Sequence, residues 1–173
     1  SKDLKVGIRE VVDPTYATGG NLEHKTNAML YGLDGWYYNS KSTKRYKAIP
    51  LDAEVPSASK EIYRNKYWKI VLAASENRGQ WGLTMDDYGR LFHNGNSSVA
   101  QGEFFMPNQT LQNPKYKPRT AAHGIGGGSV YPIRMNPGIN RGYLPQMLVK
   151  DGEHRGKLKK FTAASGSLIY RGD

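Results

Sequence analysis

Two stretches decide the fold: Gly32-Leu33-Asp34-Gly35-Trp36-Tyr37-Tyr38-Asn39 and Gly82-Leu83-Thr84-Met85-Asp86-Asp87-Tyr88-Gly89-Arg90-Leu91-Phe92-His93-Asn94. Each reads as a strand, a tight Asp/Gly turn, and a second strand with aromatic or apolar residues. Their turn glycines, Gly35 and Gly89, are 54 residues apart, close to the roughly 40–50 residues of a propeller blade. Gly166-Ser167-Leu168-Ile169-Tyr170 reads as a third copy after a long insertion.

Outward from these hairpins, the chain keeps the same grammar. The apolar runs Ala28 to Tyr31, Trp36 to Tyr38, Arg90 to Phe92, Ser129 to Ile133 and Ser167 to Tyr170 are short and bounded by Gly, Asn or Asp. Helical periodicity is scarce. The best helix candidate, Ser57 to Lys69, runs into Ile70-Val71-Leu72-Ala73, a tail that reads more easily as a strand. The expected class is all-β, and the repeat favours a β-propeller over a sandwich or barrel. At about 45 residues per blade, the chain holds roughly three to four blades of a propeller. Residues 1–173 are expected to form a single segment of one such domain.

Composition bounds the rest. With 25 Lys+Arg against 15 Asp+Glu the formal charge is +10, and 38% of residues are apolar. Three Trp, 12 Tyr and 4 Phe are too many aromatics for a disordered chain. No run approaches the roughly 18 apolar residues of a membrane helix. The absence of Cys excludes disulfides, thiolate zinc, C-x-x-C-H haem attachment and a Cys nucleophile within these residues. The chain opens at Ser1 without Met or a signal-like segment and stops at Tyr170-Arg171-Gly172-Asp173 after a strand-like run. It is therefore expected to be an excerpt of a longer protein.

The span from Phe104 to Lys150 differs in kind, as a long irregular region with no acidic residue. It carries Lys115, Lys117, Arg119, His123, Arg134, Arg141 and Lys150, a charge suited to an anionic ligand. The four His (His24, His93, His123, His154) show no metal-ligand spacing, so no metal ligand is assigned. Asp86-Asp87 leaves a calcium ion open, although the EF-hand series is absent. Neither a G-x-S-x-G elbow nor a phosphate-binding glycine loop is present. Asn21-Leu22-Glu23-His24 precedes the first hairpin and Asn77-Arg78-Gly79-Gln80-Trp81 the second. In a propeller such entry loops crowd the central axis, so polar residues at one phase of the repeat can share a pocket.

These residues resemble a known family. Glu23-His24, with His24 eight residues before Gly32, is similar to the segment of soluble pyrroloquinoline quinone (PQQ) sugar dehydrogenases that presents the catalytic histidine. Arg78-Gly79-Gln80-Trp81-Gly82-Leu83 is similar to that family's Arg-Asn-Pro-Gln-Gly-Leu. Phe161 to Gly166, with Ile169-Tyr170-Arg171-Gly172-Asp173, resembles its Ala-Pro-Ser-Gly…Tyr-x-Gly-Asp segment. The nearest likeness is to a bacterial branch of sorbosone- and glucose-dehydrogenase-like propellers, often fused to cytochrome c modules. It rests on Arg78 to Thr84, Asp87-x-Gly89-Arg90-Leu91-Phe92, Asn94-x-Asn96-Ser97 and Pro137-Gly138-x-Asn140-Arg141-Gly142-Tyr143.

The resemblance implies a six-bladed propeller with PQQ over the central channel, in a periplasmic or extracellular quinoprotein oxidising a sugar or other alcohol. His24 would be the general base taking the alcohol proton as hydride passes to the quinone. Arg78 would face the quinone oxygens. Glu23, Gln80, Arg134 and Arg141 would line the cofactor, with Lys117 beside the two arginines. Implied partners are the rest of the propeller, or another chain closing it, and a cytochrome c acceptor whose haem lies outside this chain. Two departures stand out: Glu23 replaces the family's Asp, and Gly79 its Asn. The competing expectation is a non-catalytic propeller binding glycans or protein partners. Nucleic-acid binding is disfavoured, because the Lys and Arg are scattered and no recognition motif is present.

Overall fold

The computed structural model describes residues 8–113, 115, 122–126, 148–153, 155–156, 159 and 164–172. The chain divides into two compact units, Ser1–Asn77 and Arg78–Asp173. Both are β-structured, and the described helix is confined to two 3-10 turns, Leu22–His24 and Gln109–Gln112. The all-β expectation holds at this level, as two antiparallel sheets. No described helix is long and apolar enough to cross a membrane.

The first unit holds β1 (Asn27–Tyr31), β2 (Tyr37–Ser40), β3 (Lys44–Pro50), β4 (Ser59–Arg64) and β5 (Trp68–Ala74), in the order β1-β2-β3-β5-β4. The hairpin β4–β5 overturns the helix candidate at 57–69. Asn65 makes the turn: its side-chain oxygen accepts the N–H groups of Tyr67 and Trp68 at 2.9 and 3.0 Å. Trp68 to Ala74 then pairs in unbroken register with β3, so the tail is a strand as expected. Because β5 is antiparallel to both β3 and β4, β4 runs parallel to β3 with one strand between them.

Alternation along β3 and β5 sorts this sheet into two faces. Arg45 and Lys47 stand on one face with Val71 and Ala73, and their cationic heads lie 4.4 and 5.8 Å from the Trp36 ring centroid. Tyr46 and Ala48 stand on the other face with Ile70 and Leu72. An N-terminal strap crosses that second face. Glu10 accepts a hydrogen bond from Tyr63 on β4, Asp13 accepts one from Tyr46 on β3 at 2.7 Å, and Tyr16 donates to Asn39 on β2 at 2.9 Å. Burial alone would raise the Asp13 carboxyl. Hydrogen bonds from Thr15 and Tyr46, with Lys44 nearby, instead hold it at about 2, so the anchor stays ionised.

The second unit holds β6 (Leu83–Met85), β7 (Leu91–Gly95), β8 (Ser98–Glu103) and β9 (Ala122–Gly124), in plain meander order. Strand β9 lies inside the span read from sequence as irregular; the residues around it that carry Lys117, Arg134 and Arg141 are outside the described set. The supposed third hairpin copy at 166–170 is not one. Among the described residues that stretch has no strand partner and is tied instead by Gly166 N–H to Trp81 O, Ser167 Oγ to Val99 O and Ile169 N–H to Thr84 Oγ1.

The two hairpins that decided the reading share one turn. Gly32 N–H donates to Trp36 O and Gly35 N–H to Gly32 O; Asp86 N–H donates to Arg90 O and Gly89 N–H to Asp86 O. Gly35 and Gly89 therefore hold the same position, with φ of 77° and 79°, the left-handed residue that closes a three-residue hairpin loop. An Asp carboxylate fastens each loop. Asp34 accepts from Trp36 N–H, and Asp86 from the N–H groups of Tyr88 and Arg90.

Candidate functional site

Within the second unit, sheet register gathers the polar residues. His93 on β7 lies opposite Leu83 on β6 and Gln101 on β8. Side chains two apart share a face, so Leu91, His93, Gln101 and Glu103 stand together. Arg78 enters this face and its Nε donates to Glu103 Oε1. Both side chains are almost wholly covered, at 1% and 2% exposure.

The backbone of the Arg78-Gly79-Gln80 segment is laid directly on β7. Gln80 N–H donates to Asn94 O at 2.9 Å. Gly79 has φ of 55°, and a Cβ there would stand 2.5 Å from Asn94 O and 3.0 Å from His93 Nδ1. Only glycine fits this approach. The departure from the family's Asn is therefore built into the local backbone. Gly79→Asn is expected to destabilise the unit by about 1–3 kcal/mol through overpacking against β7, read as a lowered melting temperature. An unchanged melting temperature would contradict this close approach.

His93 is buried, and neither ring nitrogen has a hydrogen-bond partner among the described residues. Burial, together with the Arg78 charge, lowers its pKa from the ordinary 6.5 to about 4. It is thus a neutral imidazole packed against a paired guanidinium. The unfolded chain takes up the His93 proton first as pH falls. Its contribution is accordingly complete above pH 6.5 and lost between 6.5 and about 4, on the order of 3 kcal/mol in all. Denaturant titrations at pH 7 and pH 4.5 should show that loss in the wild type and most of it gone in His93→Leu.

The residues named from sequence fall as follows. His24 closes the 3-10 turn Leu22–His24 in the first unit, exposed, with its N–H on Asn21 O at 2.9 Å. Glu23 is exposed beside it, and its N–H is capped by the Asn21 side chain at 3.1 Å. Arg78 and Gln80 are buried in the second unit. Arg134 and Arg141 lie outside the described residues. The structure brings Arg78 together with two residues that were not singled out, Glu103 and His93. The signal for His93 was present, since two-residue alternation places it with Leu91. For Glu103 there was none, because a pairing across 25 positions leaves no local pattern.

His24 is exposed, so solutes can approach its imidazole. Arg78 does not suit the expected place facing the quinone oxygens of PQQ, since Glu103 already answers its charge and almost none of it is accessible. Asp86 is engaged by Tyr88 and Arg90, and Asp87 meets Arg171 at 3.1 Å. Among the described residues, no three His, Cys, Asp or Glu are grouped as a metal site.

A family model described as a domain of unknown function, DUF7133, matches residues 2–173. No curated protein matches the chain. No solved structure matches it either.

Proposed function

The chain belongs to the DUF7133 family, and from that premise we propose that it is part of a β-propeller in an exported, quinoprotein-type oxidoreductase acting on a sugar or other alcohol. The observation that carries this reading is the shared turn at 32–36 and 86–90, with Gly35 and Gly89 in one conformation and one hydrogen-bond pattern. These hairpins are among the segments on which the resemblance to PQQ sugar dehydrogenases rests. The plain meander β6-β7-β8-β9 has the strand order of a four-stranded blade. The sheet of the first unit departs from that order through its inserted β5.

In this reading His24 accepts the proton of the substrate hydroxyl. When bound, PQQ supplies the hydride acceptor. Arg78 is a structural strut, locking the segment before β6 to β8 through Glu103. Arg134 and Arg141 would supply cationic contacts to the anionic cofactor, and a cytochrome c module would carry the electrons onward.

A second reading is favoured by the covered Arg78–Glu103 pair, which removes one expected quinone contact. It is a non-catalytic propeller that binds glycans or protein partners. Titration of PQQ into the full-length apoprotein, with and without Ca²⁺, separates the two. The first reading expects saturable one-to-one binding seen in the quinone absorbance. No binding, together with retention on a glycan or protein ligand, would transfer the assignment to the second.

A further inference from the structure

Beneath the strap of the first unit lies a cavity of about 530 Å³, within the size range of small-molecule sites. Its floor is the sheet face carrying Met29, Tyr37, Tyr46, Ala48, Trp68 and Ile70, and its roof is the strap from Val12 to Tyr16. We propose that this cavity is a binding site for an uncharged, flat, predominantly apolar molecule, such as one built on fused aromatic rings.

Two observations support that class. First, the polar groups at the wall are already engaged. Tyr46 is spent on Asp13, Tyr16 on Asn39, and the Asp13 carboxylate on Thr15, Tyr46 and Lys44. What faces the cavity is chiefly apolar and aromatic surface, which rewards burial of a ring and offers little to a charged group. Second, the walls are held in place before a ligand arrives. Trp68 packs on Tyr63 at 5.2 Å and Tyr37 on Tyr31 at 4.8 Å, while the strap is tied to β4, β3 and β2. Such preorganisation lowers the cost of binding. The inference is independent of the quinoprotein reading and concerns a different surface from the Arg78 cluster.

The test is a fluorescence titration of the full chain with the neutral probe N-phenyl-1-naphthylamine. Saturable one-to-one binding is expected, insensitive to salt and displaced by naphthalene but not by 1-naphthoate. Ala48 is exposed on the floor, so Ala48→Trp fills the cavity without entering the core, and it should weaken binding at least tenfold at an unchanged melting temperature. Met29 is 57% exposed, so Met29→Ala spares the fold, and it should weaken binding several-fold if the Trp variant does not fold. Non-saturable binding, equal competition by 1-naphthoate, or full affinity in a folded Ala48→Trp protein would overturn the proposal.

Discussion

Glu103→Ala is expected to destabilise the second unit by about 3–5 kcal/mol, the usual result of removing one member of a buried ion pair. Arg78 would be left with its charge under β7 and β8, at 1% exposure, where water cannot take the place of the lost carboxylate. The neutral His93 beside it carries no charge to give up and cannot compensate. Glu103→Gln should recover part of the loss, since an amide oxygen can still accept from Arg78 Nε, but not the charge. The double variant Arg78→Met/Glu103→Leu should be much closer to wild type than Glu103→Ala, because it removes both charges and keeps the volume. Urea titrations of the four proteins give these differences directly. A Glu103→Ala protein within about 0.5 kcal/mol of wild type would contradict the buried pair.

The second large effect falls on rate. His24→Ala should lower kcat by about 10²–10⁴-fold, the usual contribution of a positioned general base. The loss should appear without a change in quinone affinity or melting temperature, because His24 is exposed and ends a 3-10 turn whose cap is the neighbouring Asn21. Asn21→Ala, in contrast, loosens the turn and leaves the imidazole present, so a smaller loss of rate is expected. If His24→Ala and wild type turn over equally, the base lies elsewhere.

How much of this could be read from the chain depended on whether the structural cause was local. Gly35 and Gly89 were legible because a left-handed turn residue between apolar runs has few other uses, and their φ values agree within 2°. The β4–β5 hairpin was hidden because its turn contains no Gly or Pro. Asn65 does the work through a side-chain oxygen, while Tyr63, Tyr67 and Trp68 mimic a helical stripe. The stretch at 166–170 reads as a strand because it is a short apolar run behind a glycine, yet Leu168 and Tyr170 are both largely exposed and its bonds to Trp81 O, Val99 O and Thr84 Oγ1 form no ladder.

The candidate site shows the same division. Arg78 and Gln80 were found by motif, and the backbone reason for Gly79 became visible only against Asn94 O and His93. Glu103 was invisible because the sheet register that brings it to Arg78 is a property of the fold. The expectation that Arg78 meets a ligand was reasonable for an Arg at the head of a blade-like strand. Its burial against Glu103 assigns it to holding the segment in place.

The most direct measurement of the central claim is turnover of the full-length protein in a dye-reduction assay. It should be run with a panel of aldoses and alcohols, with Ca²⁺ present throughout, before and after addition of PQQ to the apoprotein. A quinoprotein oxidoreductase gives no dye reduction without PQQ and saturable, substrate-dependent reduction with it, and that is the expected result. A folded protein that stays inactive with PQQ across the whole panel would contradict it.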